Sequence, residues 1–183
     1  MDQEELALYQ TMGNYATENL FWSLIYLNNT AFNTPLRNDA KTKLLGMNKM
    51  YDTIISSVYP SGEGDELIAA MANNNRLFIS YIDHLMQGSN QASVFQQQWK
   101  ENGCKIAQIL GKMNPYWRTM EWTAMINHEA ALLDTIASSM QAKNYGTFAN
   151  TAPICRRLAI DMSNYMCSGI TKQQQSTWEY RGS

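Results

Sequence analysis

Apolar residues recur every three or four positions along six stretches of this chain, with polar residues between them. This spacing lines the apolar side chains along one face of an α-helix, so each stretch predicts an amphipathic helix. Strict alternation of apolar and polar residues, the pattern of a half-buried strand, never extends beyond a few positions. The chain therefore predicts an all-α fold, with helices at about residues 3–32, 36–58, 66–87, 92–112, 115–140 and 153–170.

Prolines and glycines mark the expected helix boundaries. Thr34-Pro35 and Asn114-Pro115 each pair a side chain that can accept backbone N–H groups with a proline, whose missing N–H costs nothing in a first helical turn. For the same reason Pro153 is expected in the first turn of the sixth helix, after a connection over residues 144–151. Gly88 is expected to end the third helix.

An internal repeat emerges when the chain is shifted by 54 positions. The shift aligns identical residues at several places: Ala70 with Ala124, Met71 with Met125, Asn73 with Asn127, Ile82 with Ile136, and Met86 with Met140. The matches follow helix pairs at about residues 1–60, 61–114 and 115–170, and they predict three copies of an αα-hairpin. Because one hairpin cannot bury its apolar face alone, the three should pack together as a six-helix bundle.

The bundle is expected to form a single helical domain over residues 1–172, since 45% hydrophobic residues are enough for a sizeable core. Residues 173–183 are expected to be a frayed tail. Their last three residues, Arg181, Gly182 and Ser183, are typical of an expression scar.

Charge and hydropathy exclude several classes of function. The net charge is −2 and the basic residues are scattered singly, whereas nucleic-acid binding usually requires a clustered basic face. The longest apolar stretch, residues 20–27, is far shorter than the roughly 20 residues that span a membrane. The acidic first residues do not resemble a signal peptide, so the chain is expected to be cytoplasmic.

The sequence favours a non-enzymatic protein without a cofactor. It contains no GxSxG, P-loop or GxGxxG motif, on which large groups of hydrolases and nucleotide-binding proteins depend. The three cysteines have no CxxC spacing and are expected to be free thiols. An enzyme with an unrecognised set of residues stays open as an alternative.

Glu129 is the most suggestive position for a binding site. It lies between Ile126 and Leu133 on the stripe expected to face the core, and Asn75 is its partner one repeat earlier. A buried carboxylate must be hydrogen-bonded or have a raised pKa, and such groups are frequent at binding sites. The alternative is that the stripe turns slightly and leaves Glu129 at its solvated edge.

These considerations predict a module that binds either a small ligand or a protein partner, a second copy of the chain included. Any inner site is expected to consist of Asn75, His128, Glu129, Met71, Met125 and Trp122. The alternative is a metal-binding or metal-storage bundle that uses His128, Glu129 and some of the 12 methionines, because thioethers select Cu(I). A ferritin-type site is not expected, since neither histidine has a glutamate three residues before it.

The middle of the chain resembles a group of small helical proteins from spore-forming Firmicutes, most of which have no assigned function. The resemblance covers about residues 95–140 and is carried by these residues: Trp99, Asn102, Ile106, Met113-Asn114-Pro115-Tyr116-Trp117, Glu121-Trp122 and Met125. It implies a bacterial, cytoplasmic, non-enzymatic protein. That group tends to carry histidine on the inner face of the first helix of each hairpin, whereas this chain has Asn73-Asn74-Asn75 and Asn127-His128-Glu129. No functional residue is therefore carried over.

Overall fold

The computed structural model describes residues 3–59 and 62–181, and side chains as far as residue 176. Within these residues the chain forms six α-helices and no strand, which confirms the all-α prediction. None of the helices in this part of the chain combines the length and the hydropathy that a transmembrane segment requires. The helices are α1 (Gln3–Ala31), α2 (Leu36–Val58), α3 (Asp65–Met86), α4 (Ala92–Met113), α5 (Thr119–Gln141) and α6 (Tyr145–Arg181).

Helices that follow one another in the chain pack side by side, and α1 also packs against α6, so the bundle closes on itself. The odd-numbered helices α1, α3 and α5 contact one another as well, which places them towards the middle. The 54-residue repeat and the division into three hairpins stay predictions. The reason is that α1 packs against α6, and α4 against α5, about as closely as the members of two of the expected hairpins do.

The bundle has two hydrophobic cores, one towards each end. The lower core includes Tyr51 and Trp117, and the upper core includes Leu27 and Ile136. Between the two cores, five helices each carry a polar residue that interrupts the apolar stripe: Asn19, Asn75, Asn102, Glu129 and Ser163. We call these five residues the polar layer. They lie at about the level where the candidate site is found.

Two boundary predictions agree with the structure. Helix α2 begins at Leu36, directly after Pro35. Gly88 follows the end of α3 with a φ of 66°, a conformation that residues with a Cβ rarely adopt. The role expected of Thr34 was wrong, because its hydroxyl donates to Asn29 Oδ1 rather than accepting an N–H from the start of α2.

The predicted start of α5 at Asn114-Pro115 was wrong. Helix α5 begins at Thr119, and the residues before it form a connection. The Asn114 side chain accepts a hydrogen bond from the Tyr116 backbone N–H at 2.9 Å, which closes a turn instead of capping a helix. This turn inserts Trp117 into the lower core, where the side chain is 2% exposed.

The predicted limits of α6 were also wrong. The helix begins at Tyr145 and contains Pro153 in its interior. Pro153 and Ala149 are both exposed, so water can reach the Ala149 carbonyl that Pro153 leaves without an N–H donor. Helix α6 also continues to Arg181 instead of ending near Ile170, and Gly182 and Ser183 lie outside the described residues.

The first residue of the expected frayed tail is held against the bundle. Gln173 Oε1 accepts hydrogen bonds from Asn114 Nδ2 at 2.8 Å and from the Tyr59 hydroxyl at 2.9 Å. These bonds join α6 to the end of α2 and to the connection before α5. The ordered part of α6 therefore includes at least this turn.

Asp83 on α3 joins three helices at the side of the upper core. Its carboxylate accepts hydrogen bonds from the buried Tyr26 hydroxyl on α1 and from Arg37 Nη2 on α2 at 2.6 Å. Lys41 Nζ lies 3.8 Å from the other carboxylate oxygen. Burial, followed by the bond to Asp83, raises the pKa of Tyr26, so this hydroxyl stays a donor.

Asp83→Ala should lower the free energy of unfolding by about 2–3 kcal/mol, because it leaves the Tyr26 hydroxyl and the Arg37 guanidinium without their acceptor. Urea unfolding followed by circular dichroism measures this loss. Asp161→Ala is the control, since Asp161 is exposed on α6 and its replacement should change the stability by less than about 0.5 kcal/mol. Equal effects of the two substitutions would show that the Asp83 cluster contributes nothing particular.

Candidate functional site

A partly open cavity of about 100 Å³ lies at the level of the polar layer and is lined by every helix except α2. Its apolar walls are Met12, Met71, Ile106, Leu110, Ile126 and Met162, with two alanines. Its polar lining consists of Tyr15, Asn19, Asn74, Trp122, Glu129 and Ser163. Apolar walls with a few convergent polar groups are typical of binding sites for small molecules.

Glu129 is the charged side chain of this cavity. It is partly buried, and it also lines a second, smaller space of about 10 Å³ between α4 and α5. Among the described residues, neither a hydrogen bond nor a nearby charge contributes to the pKa of this carboxyl group. Desolvation raises the pKa of Glu129 from its ordinary value of 4.5 to about 7. The carboxyl group therefore changes charge close to neutral pH.

Tyr15 and Trp122, which both line this cavity, each carry a buried hydrogen-bond donor. The Tyr15 hydroxyl and the Trp122 Nε1 have no hydrogen-bond partner within the described part of the chain. A buried donor left without an acceptor costs about 1–3 kcal/mol, so these two groups favour an acceptor inside the cavity. Burial, and then the nearby Glu129, raise the pKa of Tyr15, which therefore remains protonated.

Asn75 and Asn102 hold the polar layer together rather than lining the cavity. Asn75 Nδ2 donates to Asn19 Oδ1 at 3.1 Å and to the Leu44 carbonyl at 3.2 Å. Asn102 Nδ2 donates to the Ala70 carbonyl at 3.0 Å. These amides link α1 to α4 and fix the Asn19 side chain in the cavity wall.

The structure brings three of the six expected site residues together. Glu129, Met71 and Trp122 all line the cavity. Asn75 does not line the cavity, and its amide bonds to neighbouring helices instead. His128 is exposed, and Met125 packs against the lower core, so neither belongs to the cavity wall.

Sequence reasoning missed the contributions of α1 and α6. Tyr15, Asn19 and Ser163 line the cavity from helices that were not considered for the site. The available signal was a polar residue at the level of Glu129 in each apolar stripe, Asn19 on α1 and Ser163 on α6. Tyr15 carried no such signal, because a tyrosine at helical spacing is ordinary core.

A metal ion in this cavity would meet a different set of side chains from the set expected for the metal-binding alternative. His128 and Glu129 do not converge, since adjacent helical residues point about 100° apart. Among the described residues, no three or more His, Cys, Asp or Glu side chains are grouped so that they could hold a metal ion. Three thioethers, those of Met12, Met71 and Met162, do line the cavity beside Glu129.

The buried cysteines are poorly suited to ligation or nucleophilic attack. Burial raises the pKa of Cys155 to about 11 and that of Cys167 to about 12, so both remain protonated thiols. All three cysteines are free. Cys155 and Cys167 are best explained as parts of the core.

A larger groove of about 590 Å³ runs between α1, α2 and α6 at the lower end of the bundle. Its walls include the exposed side chains of Glu4, Thr53 and Gln174. None of the unpartnered buried side-chain atoms in the described residues lies in it. The cavity at the polar layer is therefore the stronger candidate in spite of its smaller volume.

Comparison of the chain with protein-family models, with curated proteins and with solved structures found no significant match. The resemblance to small helical proteins of spore-forming Firmicutes therefore stays a prediction. The geometry and the chemistry of the cavity are what bear on function.

Proposed function

We propose that this protein binds a small organic molecule in the cavity at the polar layer. The observation that carries the proposal is that a single cavity is lined by two residues with unpartnered buried donors and by one residue with a desolvated carboxyl group. A ligand with an acceptor would remove the cost of leaving Tyr15 and Trp122 unpaired. This gain is available only to a molecule inside the cavity.

The dimensions of the cavity limit the size of the ligand. An engineered cavity of about 150 Å³ in another protein accommodates benzene. The cavity here is about 100 Å³, so it suits a molecule of roughly four to six non-hydrogen atoms.

The lining also limits the charge of the ligand. None of the described side chains in the cavity wall is basic. The side chain that ionises near neutral pH is the acidic Glu129. An anion would meet the Glu129 carboxyl without a compensating cation. The ligand is therefore neutral or positively charged. A protein partner and a homodimer stay predictions that the cavity does not bear on.

The proposal predicts that small polar ethers bind beside Trp122. We expect 2-methoxyethanol or 2-methoxyethylamine, titrated into the ¹⁵N-labelled protein, to shift the Trp122 indole N–H resonance in a saturable way. Trp122→Phe assigns this resonance by its loss. The Trp22 indole is the internal control, because it donates to Glu18 on the same helix and does not line the cavity.

A cavity-filling variant distinguishes binding in the cavity from binding at the surface. Ala16 lines the cavity, so Ala16→Leu should fill part of it and abolish the saturable shift. Ala131→Leu adds the same side chain at an exposed position of α5 and should leave the shift unchanged. Absence of a saturable Trp122 shift with both compounds, or its persistence in Ala16→Leu, would contradict the proposed function.

A further inference from the structure

We propose that the ligand of this cavity is a small amino alcohol or amino ether, bound with its ammonium group on Glu129 and its oxygen on Tyr15 and Trp122. This inference rests on the proposed function and names the class of ligand. It follows from what each polar group of the cavity can offer. The residues that line the cavity include two with unpartnered buried donors and one with a carboxyl group.

Tyr15 and Trp122 require an acceptor that carries no negative charge. The Trp122 Nε1–H can only donate, and the Tyr15 hydroxyl stays protonated. Both groups are buried without a partner in the described residues, so one oxygen of a ligand could serve both. A carboxylate or a phosphate would be unfavourable, because no basic side chain of the described lining would neutralise it. A hydroxyl or ether oxygen meets the requirement.

The Glu129 carboxylate requires a hydrogen-bond donor from the ligand, and a positively charged donor would bind to it most strongly. Ionised carboxylates are acceptors only, and their bonds to charged donors are stronger than those between neutral groups. No hydrogen bond from the described residues contributes to the pKa of this carboxyl group. An ammonium group would supply both the hydrogen bonds and the opposite charge.

The other titratable groups around Glu129 do not change the charge that a ligand meets in the cavity. On α1, Tyr15 is neutral, and on α6, Cys155 is a protonated thiol whose pKa is raised to about 11. Helix α4 carries Lys100 at the smaller space, but its Nζ lies 3.7 Å from Asp134 on α5. Helix α3 contributes Met71 and Asn74, which do not titrate. Glu129 is therefore the group that sets the charge of the site.

The cavity volume fits this class of molecule. Ethanolamine and its methyl ether carry a nitrogen and an oxygen separated by two methylene groups. The methylenes would lie against the thioether and aliphatic walls formed by Met71, Ile126 and Met162. Such a ligand has about four or five non-hydrogen atoms, within the size that about 100 Å³ accommodates.

Three compounds of matched length test the inference, each titrated at pH 8.5 and followed by the Trp122 indole resonance and by calorimetry. The compounds are 2-methoxyethylamine, 2-methoxyethanol and n-butylamine. We expect the ether amine to bind at least about tenfold more tightly than the ether alcohol, which lacks the cation, and than butylamine, which lacks the oxygen. Glu129→Gln should remove the preference over the ether alcohol, and Trp122→Phe the preference over butylamine.

The affinity should also depend on pH through Glu129. If the ionised carboxylate binds the ammonium, affinity for 2-methoxyethylamine should fall by roughly 30-fold between pH 8.5 and pH 5.5. Binding of 2-methoxyethanol should change far less, and Glu129→Gln should bind both compounds without this dependence.

The outcomes separate the two proposals. Equal binding of the ether amine and the ether alcohol would overturn the amine inference and leave the proposed function standing. A preference that survives in Glu129→Gln would also overturn it. Failure of all three compounds to bind would overturn the proposed function and the inference together.

Discussion

Gly169→Ala should lower the free energy of unfolding by about 3 kcal/mol or more. A Cβ at Gly169 would lie 1.9 Å from Trp117 Nε1 and 2.4 Å from Trp117 Cδ1. The indole cannot move aside easily, because it is 2% exposed and its Nε1 donates to the Met166 carbonyl at 3.2 Å. Overpacking of a rigid ring typically costs about 1–3 kcal/mol and occasionally more.

Gly46→Ala provides a matched control for this substitution. Gly46 is exposed in the middle of α2, and a Cβ there would have no described atom within 4 Å apart from its own helix and chain neighbours. Alanine at this position should raise stability by about 0.5–1 kcal/mol, through its higher helix propensity. Urea unfolding of both variants gives the comparison. A loss below about 1 kcal/mol for Gly169→Ala would show that Trp117 does not hold its position against α6.

The same tryptophan shows why one boundary could not be predicted. Asn followed by Pro is typical of a helix start, but Asn also closes turns by accepting the N–H two residues on. A helix cap and a turn can therefore be built from the same two residues, and Asn114 forms the turn. Whether these residues form a cap or a turn depends on where Trp117 can pack. Trp117 fits into a space beside Gly169, and Gly169 belongs to α6. A local pattern contains no information about that contact.

Periodicity was enough to predict the six helices, because each stripe covers several turns and survives errors at its ends. Pro153 shows the limit of this reasoning. A proline inside a helix is costly where the freed carbonyl is buried, but Pro153 and Ala149 face solvent. Exposure on the outer face of α6 is a property of the bundle and cannot be read from the residues around Pro153.

The candidate site was predictable on the helices where a polar residue interrupts a strong apolar stripe. This rule found Glu129, and its apolar neighbour Met71 followed from the repeat. His128 was included for its chemistry, although one helical step carries it off the inner face. The Tyr15 hydroxyl was missed, because its lack of a partner depends on where α1, α5 and α6 meet.

Glu129→Gln should remove the pH dependence that Glu129 imposes on stability. The pKa of this carboxyl group is about 7 in the folded protein and near 4.5 when it is solvated, so the folded state binds the proton more tightly. Its contribution to stability is therefore complete below pH 4.5 and is lost as the pH rises through 7. The wild type should lose about 3 kcal/mol over this interval relative to Glu129→Gln, whose amide does not titrate.

Urea unfolding of the ligand-free proteins at pH 5 and at pH 8.5 measures this difference. Glu101→Gln is the matched control, because Glu101 is exposed on α4 and its replacement should leave the pH dependence of the wild type unchanged. If Glu129→Gln and the wild type lost stability in parallel, the Glu129 carboxyl would be solvated and the charge argument for the cavity would fail. Under the amine inference, 2-methoxyethylamine should stabilise the wild type at pH 8.5 more than at pH 5, because a bound ammonium offsets the desolvation of the ionised carboxylate. The ligand should therefore oppose the loss of stability that the free protein shows as the pH rises.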